Sequence, residues 1–273
     1  MELTPDELQS MVQSSGTLYM TNLTITELPA LPLGLRKLEI RNVPLKELPP
    51  LPEGLEELWC SNTQVTRLPA LPASLKVLEI SENPVTTLPS LPPGLQKLFC
   101  DLTHITEFPD LNELNELDTF SCKGCQIQLL PRLPLGLQTF DCTYSSITRL
   151  PGMLPPGLRH LECSRTRITE IPPLPPGIIV NCNNCPLLAE LPDVTHCLIV
   201  SSENCPMLPI QRRDHESING WKARWAQWIH EQSILRIQAR NEVIKEDLIA
   251  AFWHPSRVEK MLETGGWDLV ESY

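Results

Sequence analysis

The chain has 273 residues, 28 prolines, ten cysteines and a formal net charge of −11 at pH 7. Residues 1 to 210 hold 13 lysines and arginines against 23 aspartates and glutamates, which disfavours nucleic-acid binding and favours a protein partner of basic or mixed charge. No stretch approaches the roughly 20 apolar residues of a membrane span, and the acidic N-terminus lacks the apolar run of a secretory signal. We therefore expect an intracellular reducing compartment, either the cytoplasm (including that of a host cell) or a virion.

The first residues favour a short helix. Thr4 suits the N-cap and Pro5 the first helical position. Three apolar residues would share one face of this helix: Leu8, Met11 and Val12. We predict a helix over residues 5–13, within an N-terminal cap of residues 1–17.

A leucine, or a close substitute, followed by proline recurs about every 20 residues. The pairs are Leu28-Pro29, Leu48-Pro49, Leu68-Pro69, Leu88-Pro89, Phe108-Pro109, Leu130-Pro131, Leu150-Pro151, Ile171-Pro172 and Leu191-Pro192. A unit this short cannot bury its own apolar residues, so the units must stack into a solenoid. We assign the solenoid to residues 18–210.

Each repeat contains a short alternation of apolar and other residues, which is the period of a β-strand. The predicted strands are Leu18-Tyr19-Met20, Leu38-Glu39-Ile40, Leu58-Trp59-Cys60, Leu78-Glu79-Ile80, Leu98-Phe99-Cys100, Phe120-Ser121-Cys122, Phe140-Asp141-Cys142, Leu161-Glu162-Cys163, Val180-Asn181-Cys182 and Leu198-Ile199-Val200. They form about ten strands of one parallel sheet. The two prolines of Leu-Pro-x-Leu-Pro exclude a helix from the return segment, so we predict an extended, polyproline-like convex side.

These residues follow the pattern LPxLPxxLxxLxxxxNxLxxLP. Over roughly Leu28 to Pro209 the chain resembles the LPX-type leucine-rich repeats of bacterial type III effectors of the IpaH and YopM group. The resemblance implies a parallel β-sheet arch. The asparagine column of the pattern is filled by Asn83 and Asn204, and by other residues elsewhere: Thr63, Thr103, Cys125 and Thr166.

Two CxxC pairs, Cys122-Cys125 and Cys182-Cys185, have the spacing of zinc half-sites. They lie three repeats apart, roughly 14 Å, whereas Zn–S bonds of about 2.3 Å could not bridge them. We therefore interpret the cysteines as packing residues with reduced thiols, and we expect no metal and no cofactor.

The residues between the inward positions of the strands should form the centre of the concave face. We predict that this face binds a protein partner through Glu39, Trp59, Glu79, Phe99, Asp141 and Glu162. Trp59 and Phe99 should lie about 10 Å apart and could anchor an apolar side chain flanked by a cation. The alternative is that they are scattered exposed aromatic residues.

The chain lacks recognisable catalytic motifs, so we predict no enzyme and no catalytic residues.

The composition changes after Pro209, and we predict an α-helical module over residues 211–273. Residues 214–252 have helical spacing, with a bend near residues 231–233 left open, and a further helix should follow Pro255. Trp221, Trp225 and Trp228 either cap the arch or form a second candidate patch for a partner. The tail, at residues 251–258 and 266–270, is similar to the C-terminal tails of some giant DNA virus proteins.

The favoured function is a non-enzymatic protein–protein interaction module of a pathogen or virus. One alternative is a structural component of a virion or another assembly, such as a minor capsid-type protein. A second alternative is a substrate-recognition adaptor for a ubiquitin ligase.

Overall fold

The computed structural model describes residues 3–210 and 216–252, with side chains in the last helix as far as residue 240. A short helix, α1 (Pro5–Met11), precedes ten strands that form one parallel sheet in sequence order. The strands are β1 Thr17–Thr21, β2 Lys37–Arg41, β3 Glu57–Ser61, β4 Val77–Glu79, β5 Lys97–Phe99, β6 Thr119–Ser121, β7 Thr139–Asp141, β8 His160–Glu162, β9 Ile179–Asn181 and β10 Ile199–Ser201. A long helix, α2 (Ile218–Phe252), follows. The predicted solenoid with a helical C-terminal part is confirmed.

Helix α1 begins with a capping box. Thr4 Oγ1 accepts a hydrogen bond from the Glu7 amide, and a Glu7 carboxylate oxygen accepts one from the Thr4 amide at 2.8 Å. The helix ends at Met11, two residues earlier than predicted, because Val12 already has extended backbone geometry. Of the predicted apolar face only Leu8 is buried, and Met11 is exposed.

Two inward columns of side chains form the core. The first column contains Leu38, Leu58 and their equivalents, including the stacked pair Phe120 and Phe140 with ring centroids 5.3 Å apart. The second column is almost entirely buried: Met20, Ile40, Cys60, Ile80, Cys100, Cys122, Cys142, Cys163 and Cys182. The two inward columns therefore fill the interior with apolar side chains from alternate strand positions, as the alternation predicts.

The return segments contain no helix anywhere in residues 12–210. This agrees with the proline spacing, which removes backbone donors and restricts the preceding residues to extended geometry. Two isolated parallel bridges, Leu129 to Arg149 and Glu170 to Glu190, link neighbouring return segments.

A residue with positive φ follows each strand. The φ angles lie between 49° and 65° at Asn22, Asn42, Asn62, Glu82, Leu102, Gly124, Tyr144, Arg165, Asn184 and Asn204. Asparagine tolerates this left-handed conformation better than most residues do. The Asn62 amide group donates to the Asn42 side chain at 2.8 Å, and Asn42 donates to Asn22 at 2.9 Å. This asparagine ladder was missed by the sequence interpretation, although its 20-residue spacing is visible in the sequence.

The pairing corrects two assignments near the end of the sheet. The last strand is Ile199–Ser201, because Val200 pairs with Val180, and Leu198 is 68% exposed. The expected strand Leu198-Ile199-Val200 placed Leu198 in the first inward column, but Val200 occupies that column, so the predicted register is wrong by two residues. Both residues fit the apolar pattern. Asn204 is one of the residues with positive φ that follow the strands. The asparagine column of the repeat is filled there by the buried Cys205.

Helix α2 runs continuously through residues 231–233, so the helix is not broken there. Its first turn belongs to the same compact unit as the sheet, Met1–Lys222. Within that unit the Trp221 indole donates to the Ile210 carbonyl at 3.2 Å, and the buried Lys222 ammonium donates to the Cys197 carbonyl. The rest of α2 belongs to the second unit, Ala223–Tyr273. The helix predicted after Pro255 and nearly all of the virus-like tail lie outside the described residues.

Candidate functional site

The outward residues of the ten strands form a continuous row, named here the centre row. Strand pairing aligns its members in the order Tyr19, Glu39, Trp59, Glu79, Phe99, Ser121, Asp141, Glu162, Asn181 and Ser201. All six residues predicted to bind a partner on the concave face are in this row. The parallel register places them side by side because each repeat presents the same backbone position to its neighbour.

Trp59 and Phe99 lie closer together than the strand spacing suggests. Their strands are separated by β4, which corresponds to about 10 Å. Their ring centroids are only 6.2 Å apart, with an interplanar angle of 25°. The two side chains lean towards each other and stack across β4. The expected gap for an apolar side chain between them is therefore filled by the rings themselves.

The stacked rings lie on either side of the outward residues of β4, which are both buried. Val77 is 9% exposed and Glu79 is 8% exposed. Glu79 Oε1 accepts a hydrogen bond from the Ser81 amide at 3.0 Å, but Glu79 Oε2 has no hydrogen-bond partner among the described residues. Burial raises the pKa of Glu79, and hydrogen bonding from Ser81, the charge of Arg41 and the nearby Ser61 hydroxyl only partly offset this effect.

Charged groups surround the Trp59 end of the row. Lys37 Nζ lies 5.2 Å from the centroid of the Trp59 ring, and the Arg41 guanidinium carbon lies 5.9 Å from it. Both cations also pair with Glu39, at 3.5 Å and 3.0 Å. The Trp59 indole donates to Glu57 Oε2 at 2.9 Å, which fixes the direction of the ring. Cation–π contacts and ion pairs together hold this end of the row in one arrangement.

Beyond Phe99 the centre row contains two acidic residues, Asp141 and Glu162, and a third carboxyl group, that of Asp101, lies next to the row. Asp101, next to this row, accepts hydrogen bonds from the Ser121 hydroxyl at 2.5 Å and the Lys123 amide at 2.9 Å. The Lys123 ammonium pairs with Asp141 at 3.1 Å. Burial raises the pKa of Asp101, and burial together with the neighbouring Asp141 raises the pKa of Glu162. Lys123 therefore forms an ion pair with Asp141, and its positive charge also favours the ionised forms of Asp101 and Glu162.

The second candidate patch comprises Trp221, in the first compact unit, and Trp225 and Trp228, in the second. Trp221 and Trp225 are buried, and Trp228 is half-buried with its ring 5.4 Å from that of Trp225. The hydrogen bond from Trp221 to Ile210 is the contact expected of a capping residue.

The cysteines belong to the interior. Cys122 and Cys182 lie in the second inward column, and Cys125 and Cys185 are buried beside it in the asparagine column. Burial raises the pKa of Cys60 to about 12, and it also raises the pKa of other thiols in the inward column: Cys100, Cys122, Cys142 and Cys163. Such thiols are poor nucleophiles. Among the described residues no group of three or more His, Cys, Asp or Glu side chains could hold a metal ion.

No protein-family model and no curated protein sequence matches the chain. Among solved structures, YopM from Yersinia enterocolitica WA-314 is 30% identical and superposes with a TM-score of 0.66, covering 74% of this chain and 43% of YopM. The chain thus spans less than half the length of that protein.

A leucine-rich repeat protein of Leptospira interrogans is 22% identical, with a TM-score of 0.51, over 70% of this chain and 60% of its own. A Shigella effector leucine-rich repeat domain is 28% identical, with a TM-score of 0.48, over 55% of this chain and 70% of its own.

The chain is a leucine-rich repeat solenoid. Its repeats are similar to those of the effector YopM, as the sequence pattern indicates. Leucine-rich repeat solenoids of this type are interaction scaffolds that present one long surface to another protein. In the described part of this solenoid protein, no helix has the length and apolar character needed to cross a membrane.

Proposed function

We propose that the chain is a non-enzymatic recognition module that binds a protein partner of basic or mixed charge on the centre row of its sheet. The observation that carries this proposal is the stacked pair of Trp59 and Phe99. Both rings are partly exposed on the outward face. The inward columns already fill the core, so the solenoid does not need these rings in its interior.

Large aromatic residues on an open surface are typical of the energetic centre of a protein interface. The Trp59 ring is held by Glu57 and by two cations, so little conformational freedom is lost when a partner binds. The acidic residues on both sides of the pair favour basic groups on the partner and exclude strongly acidic ones.

The test is the effect of single substitutions on binding to a partner identified by proximity labelling. We expect Phe99→Ala to weaken binding, measured by titration calorimetry with purified proteins, by about 2 kcal/mol or more. Glu162→Lys should also weaken binding to a basic partner, because it reverses a charge in the same row. The matched control is Leu33→Ala, which truncates an exposed apolar residue in a return segment. A partner that binds the Phe99 and Glu162 variants as tightly as the original chain does not use the centre row.

The two alternatives remain predictions, and the same preparation separates them from this proposal. A virion or assembly component would be recovered in fixed stoichiometry with the particle. A ubiquitin-ligase adaptor would bring a ligase into the complex together with the partner. A recognition module would be monodisperse and would bind its partner reversibly.

A further inference from the structure

Glu79 differs from two other carboxyl groups of the centre row. Glu39 pairs with Lys37 and Arg41, and Asp141 pairs with Lys123. Glu79 makes no ion pair among the described residues that meets the same distance criterion, and its Oε2 atom has no hydrogen-bond partner there. It is nevertheless one of the most deeply buried residues of the row, at 8% exposure.

A buried carboxyl oxygen without a partner destabilises the folded state. An apolar residue at the same position would be buried without this penalty, as Val77 is on the same strand. The Ser81 amide accounts for one oxygen of this carboxyl group, whereas the other, Oε2, is buried without a hydrogen-bond partner among the described residues. A ligand that donates a hydrogen bond to Oε2 would account for the second oxygen.

We propose that Trp59, Glu79 and Phe99 form a binding site for the guanidinium group of an arginine side chain on the protein partner. This inference rests on the proposed function and specifies the chemistry of the partner. The guanidinium group would donate hydrogen bonds to Glu79 Oε2 and lie against the faces of the aromatic rings. It is planar and weakly hydrated, so it loses less solvation in an apolar site than an ammonium group does.

The site opens through Phe99. The Trp59 indole is anchored by its hydrogen bond to Glu57, whereas the Phe99 side chain has no hydrogen-bonding group. A rotation of Phe99 about its side-chain bonds would break the 6.2 Å stack and expose Glu79 from above. The bound guanidinium group then lies between the Trp59 ring and the rotated Phe99 ring, so both rings contact it in the complex.

The experiment uses N-acetyl-arginine amide as the probe and solution NMR of the full chain as the readout. The Trp59 indole N–H signal and the Glu79 carboxyl carbon are followed during the titration. We expect saturable shifts of both signals and a lower pKa of Glu79 in the presence of the probe. The corresponding citrulline amide has the same shape without the charge, and it should bind at least tenfold more weakly.

Glu79→Gln should weaken probe binding at least tenfold. Glu82→Gln removes a charge from an exposed position of the same repeat and should leave binding unchanged. The glutamine variant is expected to fold because it removes a buried charge, and the pKa titration of the original chain gives a second readout that needs no variant. Equal binding of the arginine and citrulline amides, or undiminished binding by Glu79→Gln, would overturn the inference.

A lysine amide that binds as tightly as the arginine amide would show a general cation site and would contradict the assignment to guanidinium. These outcomes differ from a failure of the proposed function. A partner that needs Phe99 and Glu162 but binds Glu79→Gln normally would support recognition by the centre row and exclude the arginine site. If the arginine amide binds but no centre-row variant affects binding of the partner, the result would support the arginine site and exclude recognition of that partner by the centre row.

Discussion

Glu79 shows how a single residue can oppose the stability of the fold around it. Its carboxyl group is covered on a strand whose other outward residue, Val77, is apolar and equally buried. The ionised form of Glu79 is disfavoured there, which is the reason for its raised pKa. Residues that destabilise their own repeat in this way are concentrated at functional sites in proteins.

The first prediction concerns the pH dependence of stability. The folded state binds the Glu79 proton more tightly than the unfolded state, so this residue lowers the free energy of unfolding as the pH rises above the ordinary glutamate value of about 4.3. Glu79→Gln should therefore raise the stability near pH 7, by on the order of 1 kcal/mol. The gain should shrink as the pH falls below the raised pKa.

Urea denaturation at several pH values measures this effect, with Glu82→Gln as the exposed control. A loss of stability in Glu79→Gln at neutral pH, or a gain of the same size in Glu82→Gln, would contradict the explanation by burial.

The structure also changes the expectation for the aromatic residues. From the sequence alone Trp59→Ala and Phe99→Ala should leave thermal stability nearly unchanged, since both residues lie outside the core. Their stacking and the Trp59 hydrogen bond to Glu57 add a stabilising contribution of about 0.5–1.5 kcal/mol. For Phe99→Ala this loss is opposed by better hydration of Glu79, so we expect the Trp59 substitution to be the more destabilising of the two.

At the scale of the repeat, a column of polar side chains closes the backbone just after each strand. Ser145 donates to the Cys142 carbonyl at 2.6 Å, and Thr103 and Thr166 make the equivalent bonds at 2.8 Å. Asn83 does more than these residues, because its amide donates to the carbonyls of Cys60 and Ile80 and its oxygen accepts from Thr63. One asparagine thereby connects two neighbouring repeats.

We predict that Asn83→Ala destabilises the solenoid by about 2–4 kcal/mol, because it leaves several buried backbone groups without partners. Asn83→Thr should cost clearly less, since threonine at the equivalent position 103 still satisfies one carbonyl. Chemical denaturation of both variants provides the comparison. Equal losses would show that the volume of the side chain, rather than its hydrogen bonds, determines the effect.

The strands could be predicted from the sequence because apolar and polar residues alternate at a fixed position of every repeat. The last strand was misplaced because both Leu198 and Val200 fit this alternation, and only pairing with Val180 decides between them. The asparagine ladder does not follow from the repeat pattern LPxLPxxLxxLxxxxNxLxxLP, because the asparagine of that pattern is the buried residue that comes after the ladder position. Asn204 lies in the ladder, one residue before Cys205.

The residues of the centre row can also be predicted from the repeat period, because parallel pairing places equivalent residues of neighbouring repeats side by side. The burial of Glu79 does not follow from the period. It depends on the side-chain torsions of Trp59 and Phe99, which bring two rings from strands that are not neighbours to within 6.2 Å. Torsions of this kind are determined by the surrounding contacts rather than by spacing along the chain.

Across the whole sheet, every strand pairs only with its neighbours in sequence order. The stability of such a solenoid is close to a sum of terms from adjacent repeats. A substitution in one repeat therefore acts mainly on the contacts of the two repeats beside it. The Glu79 and Asn83 effects should consequently depend on β3, β4 and β5, with little influence from the C-terminal repeats.

All ten cysteines are buried as free thiols between residues 60 and 205. Heating should expose them together, and in air they should then cross-link at random. We predict that a second calorimetric scan recovers most of the transition when a reducing agent is present and loses it when none is present. Equal recovery in both conditions would contradict this. Labelling with iodoacetamide before and after heating provides the control for exposure of the thiols.

Because of these buried cysteines, the lifetime of the protein depends on whether the medium is reducing or oxidising. In the native state the sulfur atoms are shielded from oxidants, so damage requires that a repeat first opens. A thiol that is oxidised while its repeat is open stays oxidised after the repeat closes. Because air oxidation of thiols is slow compared with the closing of a repeat, the survival of the protein outside a reducing environment would follow the equilibrium population of opened repeats.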